Sequence, residues 1–166
     1  MVDVIIPIYR KNPDKDDLIS ISQGFTVFKD YEITFVHPLS LDISAYQSFE
    51  NAKFLGFDDL YFKNIEGYNL LMMSSIFYES FHKKYILIYQ TDAFVFRNEL
   101  NYWAQKDFDY IGAPWLRSKE KIPFFKFEFC SVFLFCPTEF KYITRPIKII
   151  NNIKYLMFFI YYCKNF

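Results

Sequence analysis

The twelve residues from Tyr85 to Phe96, YILIYQTDAFVF, constrain this chain more than any other stretch. An apolar run, Tyr85-Ile86-Leu87-Ile88-Tyr89, meets the polar triplet Gln90-Thr91-Asp92 and is followed by Ala93-Phe94-Val95-Phe96. β-Branched and aromatic residues without alternation describe a strand buried on both faces, as in a sheet covered by helices. A carboxylate is costly to desolvate, so Asp92 belongs where the strand leaves the core, facing a cation, a hydroxyl or water. In open α/β sheets that edge is where ligands bind.

At 166 residues the chain fits one domain with a substantial core. Its 52% apolar and 23% aromatic content excludes disorder. The formal net charge of zero conceals an asymmetry. Residues 1–116 carry 10 Lys/Arg against 16 Asp/Glu, whereas residues 117–166 carry 9 against 3. Opposite signs suggest two stretches with different duties, and nothing in the balance calls for nucleic acid. Met1-Val2-Asp3 runs straight into strand-like Val4-Ile5-Ile6 without a basic leader, so a cytoplasmic location is expected. Cys130, Cys136 and Cys163 lack metal-ligand spacing and read as reduced, incidental thiols.

Along the chain, Val2 to Tyr9 reads as a buried strand, then Asn12-Pro13 as the cap and first position of a helix over 14–28. Leu18, Ile21 and Phe25 are its expected apolar face. Further strands are expected at Tyr31–Val36 and Lys53–Phe57, with a short helical turn over Ser44–Phe49 between them. Gly67 precedes a helix expected over Tyr68–His82, in which Leu70, Met73, Phe77 and Phe81 recur at steps of three and four. After the Tyr85 strand, Asn98 caps a helix over Glu99–Lys106, and Tyr110-Ile111-Gly112 opens another strand. The alternation is that of an α/β fold.

Residues 117–166 differ in character. They contain no Gly, Ala, Asp, Gln, His or Trp, and 14 of the 50 are aromatic. Two readings compete: a basic, aromatic segment contacting a membrane surface peripherally, or the product of an A/T-rich coding region read out of frame. The segment is expected to stand apart as an aberrant tail. Its Tyr155–Cys163 run is too short to span a bilayer.

Several segments together resemble a known family: VDVIIPIY (Val2–Tyr9), FVHP (Phe35–Pro38), GYNLL (Gly67–Leu71), FYESF (Phe77–Phe81), ILIYQTDAFVF (Ile86–Phe96) and DYIGAPW (Asp109–Trp115). They are similar to the bacterial domain DUF5672, regarded as a GT-A-like glycosyltransferase. The likeness covers about residues 1–116. It implies a Rossmann-like GT-A half, a mixed, mainly parallel sheet between helices, cut short before the acceptor part. It also implies transfer of a sugar from a nucleotide-sugar donor to a glycan or glycolipid in polysaccharide biosynthesis, in the cytoplasm or at the inner face of its membrane.

The same resemblance implies site residues. Pro7 and Tyr9 border the base and ribose, Tyr68 and Asn69 open a helix beside the nucleotide, and Gln90, Thr91 and Asp92 meet the diphosphate. Asp92 stands at the last acid of an Asp-x-Asp motif, with Gln90 at the position of the first. One carboxylate and an amide make a weaker seat for Mn²⁺ or Mg²⁺ than two carboxylates. Asp109 and Trp115 mark the acceptor side, and the catalytic residue is not identifiable. Simpler readings stand beside these. Asp92 caps a turn or pairs with Arg97; Gln90 and Thr91 satisfy backbone groups at a strand end; Asn69 caps its helix; Trp115 is core; Asp107 and Asp109 form a solvated loop. Two further functions compete with the transferase: a non-catalytic nucleotide-binding remnant and a membrane-surface adaptor.

Overall fold

In β1 (Val2–Pro7) every residue is buried, and Val2, Val4 and Ile6 turn to one face of the sheet while Ile5 turns to the other. A strand buried on both sides needs a layer above and below it. The computed structural model, which describes residues 1–107 and Ile111, supplies both. Four parallel strands, β1, β2 (Glu32–Pro38), β3 (Lys53–Phe57) and β4 (Tyr85–Ile88), lie in the order β3-β2-β1-β4. The mixed sheet expected from sequence is all-parallel among the described residues.

On one face, α1 (Lys15–Val27) and α4 (Leu100–Gln105) bury Ile21, Phe28, Leu100 and Ala104 against Val4, Ile6, Phe35 and Leu87. On the other, α2 (Ile65–Met72) and α3 (Ser75–Glu79) bury Leu71, Met72 and Phe77 against Ile5, Val36, Ile86 and Ile88. Parallel pairing forces each chain reversal through a crossover, so α1 links β1 to β2 and α2 with α3 links β3 to β4. Among the described residues no helix is long and apolar enough to cross a membrane.

Three helical expectations are corrected. The α1 cap is Asp14, not Asn12: its Oδ1 accepts from the Asp16 and Asp17 amides at 2.9 and 2.8 Å, and Asp17 Oδ2 accepts from the Asp14 amide. This reciprocal box outcompetes a lone Asn-Pro signal. Leu18 is 40% exposed, because Ser20, Ile21 and Gly24 face the sheet instead. The helix expected over 68–82 is two. Asn64 caps α2 by accepting from Gly67 N, which places Gly67 inside the helix, and Ser74 starts α3 by accepting from Phe77 N. The break rotates the face, so Leu71 and Met72 are buried while Leu70 and Met73 stand 62% and 59% exposed.

Tyr110, Gly112, Asp109, Trp115, the cysteines and the segment 117–166 lie outside the described residues. Ile111 packs against the α1-side core.

Candidate functional site

β1 and β4 are neighbours although β2 and β3 intervene in sequence, and they pair from Val2↔Tyr85 to Ile5↔Ile88. From β1 the chain crosses outward to β2 and β3 on one side, while β4 lies on the other. The C-terminal ends of β1 and β4 therefore flank the point where strand order reverses, the place where open α/β sheets leave a crevice. The Tyr89 amide donates to Ile5 O at 2.8 Å, so Pro7-Ile8-Tyr9 and Gln90-Thr91-Asp92 emerge side by side at that edge.

One wall belongs to α1. Pro7, Ile8, Tyr9, Arg10, Asp17, Tyr46 and Thr91 line a small cavity there. Arg10 Nη1 binds Asp14 Oδ2 at 3.0 Å and Asp17 Oδ2 at 3.1 Å, and the guanidinium lies 5.5 Å from the centre of the Tyr9 ring. Thr91 Oγ1 donates to Asp17 Oδ1 at 2.6 Å. Tyr46 Oη donates to Arg10 O at 2.8 Å, and burial followed by the Asp17 charge pushes its phenol up to about 12. Backbone hydrogen bonds from Asp17 and then Asp16, joined by Arg10, hold the exposed Asp14 carboxylate below its ordinary range. A helix N-terminus ordinarily attracts phosphate through its free amides. Here Asp14 occupies those amides and Asp16 and Asp17 add negative charge, so α1 offers no direct phosphate cradle.

The turn carrying Asp92 is tethered from below. Tyr89 Oη meets Ser20 Oγ at 2.7 Å and donates towards Ala93 O at 3.1 Å; Ser20 Oγ also donates to Ala93 O. Gln23 Nε2 donates to Val95 O at 2.9 Å. Buried polar groups that satisfy one another in this way fix geometry as well as energy. Sequence reasoning missed Ser20 and Tyr46. A small polar residue on the buried face of α1 was the available signal for Ser20. Tyr46 carried none.

Tyr68 of α2 reaches the same turn from the other face of the sheet. The Tyr68 hydroxyl lies beside the Gln90 amide and in the field of Asp92, and burial first, then the Asp92 charge, raises its phenol to about 12. It nonetheless completes no hydrogen bond of good geometry, and Asn69 Oδ1 on the same helix is equally enclosed and unpartnered. Asp92 itself is exposed. Among the described residues it forms no ion pair, for Arg97 is taken by Glu99 at 2.7 Å. The expected alternative of an Asp92–Arg97 pair is thereby corrected.

Among the described residues no three of His, Cys, Asp and Glu group as a metal seat. Asp92 with the neighbouring Gln90 amide suits a hard cation that brings most of its ligands with it as phosphate oxygens and water, the way Mg²⁺ is commonly held. Of the residues singled out from sequence, Pro7, Tyr9 and Thr91 share the α1 wall, while Gln90 and Asp92 stand towards Tyr68 of α2, the helix that also carries Asn69. Asp109 and Trp115 lie outside the described residues. Arg10 and Asp17 join the site through structure alone.

The family model described as "Protein of unknown function (DUF5672)" matches residues 51–149. The chain belongs to the DUF5672 family. The DUF5672 match takes in Asn69, Gln90, Thr91 and Asp92, and extends through residues 117–149, part of the segment set apart by composition. Neither a curated protein nor a solved structure matches the chain.

Proposed function

We propose that this DUF5672 chain binds a nucleotide-sugar in the β1–β4 crevice and is a glycosyltransferase of the GT-A type, acting in polysaccharide biosynthesis. One observation carries the reading: an exposed carboxylate, Asp92, unpaired among the described residues, at the switch point of a parallel sheet, on a turn pinned by Thr91 and Tyr89. A rigidly held acid that does not stabilise a fold by pairing is available to a ligand.

Each wall takes a part of the donor. Tyr9, 60% exposed beyond β1, presents a ring to the base, with Pro7 and Ile8 as the floor. Because α1 is closed to anions, the diphosphate lies towards Gln90, Thr91 and Asp92. A divalent cation there would offset the charge that develops on the departing nucleoside diphosphate. Asp92 would hold that cation, and the Gln90 amide completes the polar rim. The acceptor hydroxyl oxygen bonds to the anomeric carbon as the bond to the nucleoside diphosphate breaks, and the hydroxyl proton passes to solvent. Asp109 and Trp115, by resemblance, stand on the acceptor side, and a glycan or glycolipid is the acceptor class.

Calorimetric titration of UDP-, GDP- and CMP-linked sugars with Mn²⁺, on the wild type and Asp92→Ala, tests this reading. The reading requires binding by the wild type and at least tenfold weaker binding by the variant, while equal binding in both removes Asp92 from the site. Release of nucleoside diphosphate in the presence of a glycan acceptor then separates a transferase from a protein that only binds nucleotides.

A further inference from the structure

Two polar groups on α2 are enclosed without a hydrogen bond of good geometry: the Tyr68 hydroxyl, beside the Gln90 amide, and Asn69 Oδ1. Leaving such a group unsatisfied costs stability that an apolar residue of similar shape would not cost. Native proteins keep few of these, and a pair on adjacent residues calls for an explanation. α2 has no need of them for its own ends. Its N-terminus is capped by Asn64, and the Met73 amide closes its last turn on Asn69 O and Leu70 O. The Tyr68 hydroxyl lies beside the Gln90 amide and within the field of Asp92, at the turn that borders the crevice, and Asn69 is the next residue on the same helix.

The chemistry of the two groups restricts what satisfies both. Asn69 Oδ1 only accepts, so its partner must donate. The Tyr68 hydroxyl donates and accepts, and the Asp92 carboxylate, whose charge reaches it, only accepts. A phosphate at neutral pH has few or no protons to donate and would set its charge against Asp92. A sugar hydroxyl donates to one group and accepts from the next, and neighbouring hydroxyls on a pyranose ring do so at adjacent points.

We propose that Tyr68 and Asn69 form a subsite that reads hydroxyl groups of the donor's sugar, and so set which sugar the chain accepts. The inference rests on the nucleotide-sugar reading above and extends it from Asp92 to α2. The arrangement trades stability of the free protein for recognition of the bound one.

The test uses the full chain, with Tyr68→Phe and Asn69→Leu, in calorimetry against UDP, GDP, UDP-glucose and GDP-mannose with Mn²⁺, and a thermal melt of each free variant. Each substitution is expected to weaken the preferred nucleotide-sugar about fivefold, the equivalent of one neutral hydrogen bond. The matching free diphosphate should keep its affinity, and the ligand-free Tm should be equal to or above wild type. Parallel loss for sugar and free diphosphate would overturn the proposal by assigning the pair to the nucleotide. Unchanged affinity for both would overturn it by detaching the pair from any ligand. If the wild type binds none of the four, the donor reading itself fails and the subsite with it.

Discussion

Thr91 Oγ1 and Asp17 Oδ1 lie 2.6 Å apart, although 74 positions separate them in the chain. The contact ties the first turn of α1 to the loop after β4. Asp17 simultaneously caps α1 through the Asp14 amide and binds Arg10. One carboxylate thus fixes three segments around the crevice. Asp17→Ala is expected to cost about 1–3 kcal/mol, through the lost cap and the lost charge-assisted bonds. Thr91→Val should cost about 1–2 kcal/mol, and the double variant less than the sum, because both remove the same contact. Urea unfolding followed by circular dichroism measures all three.

The tether beneath the Asp92 turn makes a second prediction. Tyr89→Phe removes the hydroxyl that bridges Ser20 and Ala93 O in the core. It should destabilise by about 1–2 kcal/mol and loosen the turn, so that nucleotide-sugar affinity falls although the substituted side chain lies below the crevice. Loss of stability with unchanged affinity would show that the turn keeps its shape without the bridge.

How the chain would fold was written mainly in its strands. Tyr85–Tyr89 reads as doubly buried and is, and Lys53–Phe57 is a strand at the expected bounds. The helices were harder to read for identifiable reasons. Leu70, Met73, Phe77 and Phe81 keep a helical period across twelve residues, but Ser74 restarts the helix and only the last two are buried. A local cap overrode a periodic pattern. At the site, Asp92 was legible because a carboxylate interrupts an apolar run. Asp17, Ser20 and Tyr46 were not, since their roles depend on partners tens of residues away, and Arg10 was not, since its pairing depends on how the loop before α1 folds back on Asp14 and Asp17.

Gly67 shows how close the α2 start lies to the preceding turn. A Cβ there would collide with Leu60 O and come within 3.2 Å of Tyr61 C, both backbone atoms that cannot step aside. Helix propensity alone favours Ala over Gly by about 1 kcal/mol. Gly67→Ala should nevertheless destabilise, by about 2 kcal/mol or more, since overpacking forces the backbone to shift. A thermal melt gives the sign directly, and a raised Tm would contradict the packing described for this turn.

Acid should weaken the fold through surface carboxylates. A side-chain bond from Lys11, then one from the Ser44 amide, lowers Asp42 from 3.8 to about 2. Asp14, Glu32 and Asp59 are also held below their ordinary values. A carboxylate with a lowered native value binds its proton more readily when unfolded. Its contribution is therefore complete above the unfolded value and is lost as pH falls through the native one. Stability is expected to drop between about pH 4 and pH 2. Asp42→Asn should flatten part of that slope without altering stability relative to wild type at the lowest pH. A slope identical to wild type would discount the Lys11 pair.

The central claim is that a nucleotide-sugar occupies the crevice between the ends of β1 and β4. Hydrogen–deuterium exchange of the full chain, with and without a binding nucleotide-sugar and Mn²⁺, addresses it segment by segment. The account predicts slowed exchange in peptides covering Pro7–Arg10, Tyr68–Met72 and Gln90–Phe94, with the far ends of the same strands unchanged. Slowing confined to other segments, or none at saturating ligand, would contradict it.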